Sequence, residues 1–195
     1  MSNTPRIAVI IGSTRDARFG AKPAEWILEQ ARARGDWNVE LVDIKDFDLP
    51  LFNEVASNAW APSEDPHAIA WQKKIGEFDG YIFVTAEYNR SIPGSLKNAL
   101  DQAYVEWNLK PFGIVSYGSV GGTRAAEHLR TIGIELQMVS TRSAVHIGGS
   151  EFMKVHPMGG DPKPISEIED AIGGSAKAML NELDWWTRAT MAARD

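Results

Sequence analysis

Three stretches of this chain carry residue types that could hold or transform a small molecule. In the first, GSTRDARFG over residues 12–20, Ser13 and Thr14 offer hydroxyls and Arg15 and Arg18 offer positive charge. The helix that opens after Phe19 and Gly20 adds unpaired N–H groups and the positive end of a dipole. Together these describe a pocket for an anion. Ala17 stands where a Walker A loop needs its second glycine, no Gly-Lys-Ser/Thr follows, and Ser13 and Thr14 replace the Gly-x-Gly of a dinucleotide fingerprint. A phosphoacceptor site would need carboxylates at the end of the first strand, where hydroxyls and arginines stand. A single terminal phosphate suits the loop better. The alternative is that Ser13 or Thr14 merely caps the helix and the arginines are solvated.

The second stretch, VTAEYNRSIPGSLKNALD over residues 84–101, ends an apolar run and enters a helix. Tyr88 can lie against a planar ring, and Asn89 supplies both donor and acceptor. Glu87 could act as a general acid or base, but a carboxylate also suits the N-terminus of the helix that follows, and the structural role is the favoured reading. Ser91 is a plausible cap for that helix, with Pro93 and Gly94 at its start. The third stretch, SYGSVGG over residues 116–122, has three glycines, which permit positive φ and a close backbone approach to a flat ligand, although turns also favour glycine. His67, His128, His146 and His156 show no metal-ligand spacing, and Ser91 is not in a nucleophile elbow.

Those loops need a frame, and the hydrophobic pattern provides one. RIAVII is apolar throughout, as a central strand covered on both faces would be. WNVELVDI alternates as an edge strand does, and YIFVTA, PFGIVSYG and MVSTRSAVHI complete a set of five. Helices are expected over AKPAEWILEQARAR, over PHAIAWQKKIGEF with Asp65 as N-cap and Pro66 behind it, from about Gly94 to Trp107, from about Thr123 to Leu136, and over roughly residues 165–190. The loop after the second strand is long, and its Leu49, Pro50, Leu51 and Phe52 either wall a site or cap the core. GGSEFMKVHPMGGDPKP reads as an exposed flap or an arm to another subunit. Alternating strands and helices with right-handed crossovers predict an α/β, flavodoxin-like, doubly wound fold: a five-stranded parallel sheet in the order 2-1-3-4-5 with helices on both faces. Ligands of such sheets bind beyond the carboxyl ends of the strands, where all three stretches lie.

The 195 residues, 44% hydrophobic and 24% charged, suit one globular domain spanning 1–195. A formal charge of −6 without a Lys/Arg stripe argues against a nucleic-acid partner. The absence of cysteine excludes disulfides, thiolate catalysis and Cys-based metal or iron–sulfur centres, so redox chemistry would need a cofactor. No signal-like or membrane-spanning apolar run is present, and the expected location is the cytoplasm.

With these residues in view, the sequence resembles the NAD(P)H-dependent FMN reductases, a flavodoxin-like family that includes chromate, quinone and azo-dye reductases. GSTRDARFG, EYNRSIPGSLKNALD and SYGSVGGTRAAEHLR are similar, in order and spacing, to its three flavin-contacting segments, and the likeness covers nearly the whole chain. The resemblance implies that Ser13, Thr14, Arg15, Arg18, Phe19 and Gly20 hold the FMN phosphate. It implies that Glu87, Tyr88, Asn89 and Ser91 lie along the isoalloxazine, and that Ser116, Tyr117, Gly118 and Gly121 meet its pyrimidine edge. Ala86 stands where the family commonly has proline, and Arg90 where it often has histidine. The implied activity is ping-pong hydride transfer from NADPH or NADH through FMN to a small-molecule acceptor such as a quinone, azo compound, free flavin or chromate, in a homodimer or homotetramer. The flavin carries the chemistry, so no catalytic side chain and no metal are expected. A flavodoxin-like electron carrier that needs a partner reductase is the competing reading, followed by an enzyme that keeps the fold without flavin.

Overall fold

A computed structural model describes residues 4–194 of the chain. The reading of the chain's start rests partly on residues 1–3, which lie outside the described residues. Strands β1 (Arg6–Ile11), β2 (Asn38–Asp43), β3 (Gly80–Ala86) and β4 (Pro111–Tyr117) pair in parallel. Two short strands, β5 (Val139–Ser140) and β6 (Val145–Ile147), both lie parallel to β4. The order is β2-β1-β3-β4-β5 with β6 also on β4, so the chain has the flavodoxin-like topology, and the strand order reverses between β1 and β3.

The two-residue pitch of a strand explains the layers. Ile7, Val9 and Ile11 of β1 face one core, with Trp26, Ile27 and Ala31 of α1 (Ala21–Arg32) and Ile172, Ala176 and Met179 of α6 (Glu169–Arg194). Ala8 and Ile10 face the other, with Trp71 and Ile75 of α2 (Pro66–Gly76), Leu96 and Leu100 of α3 (Gly94–Asp101), and Ala125 and Leu129 of α4 (Thr123–Glu135). Ile7, Val9 and Ile10 are wholly buried, and each such side chain stabilises the fold by about 1.5–3 kcal/mol. Asp65 caps α2 as expected, accepting from the His67 and Ala68 amides at 2.8 and 3.1 Å.

Several elements depart from the expected pattern for identifiable reasons. The fifth strand is cut in two, because Glu182 of α6 accepts from the amides of Arg142 and Ser143 at 2.6 and 2.9 Å and draws that segment out of the ladder. Helix α3 stops at Asp101 rather than Trp107. There the Trp107 ring folds back, wholly buried, and its Nε1 donates to the carbonyl of Leu100 at 3.2 Å. The last helix begins with a 3-10 turn over Ile165–Ile168. The segment expected to be an exposed flap or an arm to another subunit contains helix α5 (Gly149–Val155), whose Phe152 and Val155 are buried against the first core. The remainder, about residues 157–164, is largely exposed. No helix among the described residues is long and apolar enough to cross a membrane.

Candidate functional site

Beyond the carboxyl ends of β1, β3 and β4 lies a cleft of about 380 Å³ lined by Ser13, Arg15, Arg18, Phe19, Ala86, Glu87, Tyr88, Tyr117, Gly118, Ser119, Phe152, His156 and Met158. A second depression of about 440 Å³ lies on the α3 side of the first loop, among Thr14, Lys45, Leu49, Leu51, Ser95 and Asn98. The first cleft joins guanidinium groups to aromatic rings, which is the pairing a phosphorylated flat ligand requires. The second shares Thr14 with the phosphate-loop residues and Leu49 and Leu51 with the long loop that follows β2, which therefore walls this depression and not the first cleft.

The cationic end of the cleft is built by the turn from β1 to α1. The Gly12 amide donates to the Val84 carbonyl at 2.9 Å, and Ser95 Oγ donates to the Gly12 carbonyl at 2.7 Å, fixing the loop to β3 and α3. Arg18 pairs with Asp43 at the end of β2 and donates from Nη1 to the Ser13 carbonyl at 3.3 Å. Gly20 is the N-cap of α1, and no side chain caps it. Neither Ser13 nor Thr14 therefore serves as the cap; in the first turn the Lys22 amide donates to the Phe19 carbonyl at 3.0 Å and Pro23 has no N–H, which leaves the Ala21 amide without a partner among the described residues. A Cβ at Gly20 would stand 2.6 Å from the Tyr117 hydroxyl, so only glycine admits that ring. Tyr117 packs edge-on against Phe19 with centroids 5.1 Å apart, and burial pushes its phenol pKa up.

The flat side of the cleft comes from the turn after β3. Tyr88 and Ser91 exchange both backbone hydrogen bonds, at 2.9 and 3.0 Å, around Asn89 and Arg90, whose φ angles are 50° and 68°. This is a two-residue hairpin of the type I′ class. It exposes Tyr88, whose hydroxyl accepts from Arg15 Nη1 at 2.6 Å. Asn89 and Arg90 form the exposed tip rather than the lining. Ser91 does not cap α3: Pro93 occupies that position, and Ser91 Oγ lies 2.6 Å from His128 Nδ1 on α4.

Glu87 is paired, but its partner is not on the helix that follows it. Its carboxylate accepts from the Arg124 amide at 3.1 Å and pairs with the Arg124 guanidinium, at the start of α4. Burial pushes its pKa up, yet the Arg124 side chain and amide outweigh that and hold it below the usual carboxylate range. Its backbone N–H donates to the Tyr117 carbonyl at 3.1 Å, so the second and third loops are tied together.

The third loop divides between two faces. Tyr117 belongs to the α1 and α6 side, so the two-residue pitch sends the buried Ser116 to the other. There Ser116 Oγ donates to the Gly121 carbonyl at 2.7 Å and lies 2.7 Å from His146 Nδ1. Ser116 and Gly121 thus support the loop from behind, while Gly118 and Ser119 reach the cleft. Gly122 caps α4 with a φ of 67°, and a Cβ there would stand 2.8 Å from the Tyr117 amide nitrogen.

Ala86, Ser119, Phe152, His156 and Met158 are the lining residues that were not among the predicted site residues. The ring of His156 stacks on Phe152 at 4.4 Å and stands 5.1 Å from Phe19. The spacing of Phe152 and Val155 on one face of a short helix was the available signal.

A model of the NADPH-dependent FMN reductase family matches residues 5–151. An NAD(P)H-dependent FMN reductase of Schizosaccharomyces pombe is 34% identical over 176 residues, covering 87% of this chain and 88% of that protein. A quinone reductase of Pseudomonas putida is 35% identical over 161 residues, covering 77% and 81%. Among solved structures, the flavoenzyme NAD(P)H:(acceptor) oxidoreductase FerB of Paracoccus denitrificans superposes with a TM-score of 0.67 at 22% identity, over 92% of this chain and 97% of that one. With its sheet order and its three converging loops, the chain belongs to the NADPH-dependent FMN reductase family and is an oxidoreductase of that class.

Proposed function

We propose that residues 1–195 form a single FMN-holding domain that takes reducing equivalents from NADPH or NADH and passes them to a small organic or oxyanion acceptor, a quinone foremost. The observation that carries this reading is the convergence of three loops on one cleft, with arginines and the Ser13 hydroxyl at one end and tyrosine rings along the side. The donor set suits a flavin phosphate: Arg15, Arg18 and the Ser13 hydroxyl line the cleft and can donate to a dianion. When bound, FMN supplies two-electron chemistry between nicotinamide and acceptor in a ping-pong cycle. Tyr88 offers a ring against which a flat ligand stacks, and the backbone amides of Gly118 and Ser119 stand at the same cleft as preorganised donors. Glu87, spent on Arg124, moves no proton. The assembly is a homodimer or homotetramer, the site of action the cytoplasm, and no nucleic acid or membrane takes part.

The test is to supply the purified protein with FMN and then NADPH under anaerobic conditions. Retention of flavin and rapid bleaching of its visible absorbance, restored by a quinone, is the expected result. A colourless protein after flavin soaking removes the reading, and retained flavin that NADPH and NADH reduce only slowly makes the chain an electron carrier.

A further inference from the structure

His156 sits where nothing in the sequence pattern placed a functional residue. It follows α5 and lines the cleft, between Phe152, on which it stacks at 4.4 Å, and Phe19, at 5.1 Å. Phe19 is the residue before the N-cap of α1 and lines the same cleft as Ser13, Arg15 and Arg18, so the imidazole stands beside the cationic β1–α1 loop. The Met158 amide donates to His156 Nδ1 at 3.1 Å. In a neutral imidazole with Nδ1 accepting, the hydrogen is on Nε2, which is then a donor. Two aromatic neighbours and one backbone bond therefore fix both the plane and the tautomer of the ring.

The charged surroundings are one-sided. Arg15 of the loop after β1 and Lys22 of α1 act on the ring as cations, the Tyr117 phenol behind Phe19 is kept neutral by burial, and among the described residues no carboxylate pairs with His156. Burial first, and then Arg15 and Lys22, hold the imidazole below its usual value. A neutral ring set among cations without an anion is poised to gain a proton when a dianion arrives.

We propose that His156 is a binding residue for the phosphate monoester of the flavin nucleotide, donating from Nε2 to a phosphate oxygen and closing the cleft from the α5 side. The proposal rests on the reading that this cleft holds FMN. It makes the C-terminal third of the chain, beyond the three loops, a reader of the ligand's phosphate. Because the imidazolium gains a partner in the complex, binding and protonation are linked, and each favours the other.

The test follows the C2–H proton of His156 by NMR across pH, assigned by its loss in His156→Phe, with His67 and His128 as internal references. Three samples are compared: protein alone, with FMN, and with riboflavin, which lacks the phosphate. The midpoint is expected to rise by about one unit or more with FMN and to stay in place with riboflavin. His156→Phe, which keeps the stack on Phe152, is expected to weaken FMN binding roughly tenfold at pH 6 and less at pH 8, with riboflavin affinity unchanged; His156→Gln serves if the first variant does not fold. FMN that binds without moving the His156 midpoint, or an equal shift with riboflavin, overturns the role of His156 and leaves the flavin reading standing. Failure of both flavins to bind overturns both.

Discussion

Arg15 Nη1 donates to the hydroxyl of Tyr88 across 2.6 Å, joining the loop after β1 to the hairpin after β3 over the mouth of the cleft. The bond links the group that would meet a phosphate to the ring that would lie beside a flavin. Arg15→Ala is expected to weaken FMN binding by roughly ten- to a hundredfold, the range for a charge-assisted hydrogen bond, and to leave riboflavin affinity within about twofold. Tyr88→Phe keeps the ring and loses only the hydroxyl, so its effect on FMN should stay within about threefold, whereas Tyr88→Ala should cost about tenfold. Quenching of flavin fluorescence measures all three.

Glu87 carries a stability prediction rather than a catalytic one. Its folded pKa is depressed against an ordinary carboxylate value of 4.5. The stability it contributes is therefore complete above that value and is lost as pH falls through the folded pKa. Glu87→Gln should destabilise the protein by about 1–3 kcal/mol at pH 7, with the difference closing toward pH 3. The pH dependence of turnover between about 6 and 8 should not change, because a carboxylate held this low is ionised throughout that range. Urea unfolding at several pH values, alongside a rate profile, checks both halves.

At the opposite end of the sheet, Lys110 donates to the Gly76 carbonyl and the Tyr81 hydroxyl at 3.3 and 3.2 Å. Burial, with Arg194 adding to it, lowers its pKa to about 8. Between about pH 8 and the unfolded lysine value near 10.4, the unfolded chain holds the extra proton, so stability should rise with pH. The Tyr81 phenol, pushed up by burial, opposes this above about pH 10. The gain should be on the order of 1–3 kcal/mol, and Lys110→Met should abolish it. Chemical denaturation at pH 7, 8.5 and 9.5 is the measurement.

Gly122 combines a φ of 67° with a Cβ position 2.8 Å from Ser116 Cβ and the Tyr117 nitrogen. Gly122→Ala should therefore cost about 2 kcal/mol or more, from strain and overpacking together. It should also loosen flavin binding, since the loop it displaces carries Gly118. Thermal unfolding with and without FMN separates the two effects.

Asn89 tests the hairpin. Glycine tolerates its φ of 50° and alanine does not. If shape alone matters, Asn89→Gly should retain FMN and Asn89→Ala should release it. If the amide contacts the ligand, both should weaken retention, with no shift in the pH profile of turnover in either case.

The alternation of strands and helices was legible because β1, β3 and β4 are apolar runs, β2 alternates as an edge strand does, and each helix shows one apolar face. What sequence could not convey were pairings between distant positions. Glu87 seeks Arg124 rather than α3, and Phe152 is buried because Phe19 lies beneath it. Ser116 is a different case. Strand alternation places it opposite Tyr117, so both could not have faced the cleft, and the two-residue pitch was enough to separate them. The division of the fifth strand depends on Glu182, on a helix some forty residues later, and no local pattern announces it.

That divided strand has a consequence for how molecules of this protein meet at high concentration. A sheet ends in a row of unsatisfied backbone groups that can recruit a strand from another molecule, and long, flat edges are the dangerous ones. Here that edge is two fragments of two and three residues, interrupted where Glu182 has taken the free amides for itself. Glu182→Ala would return those amides to solvent and lengthen the usable edge, turning a residue far from any ligand into a safeguard against self-templated aggregation.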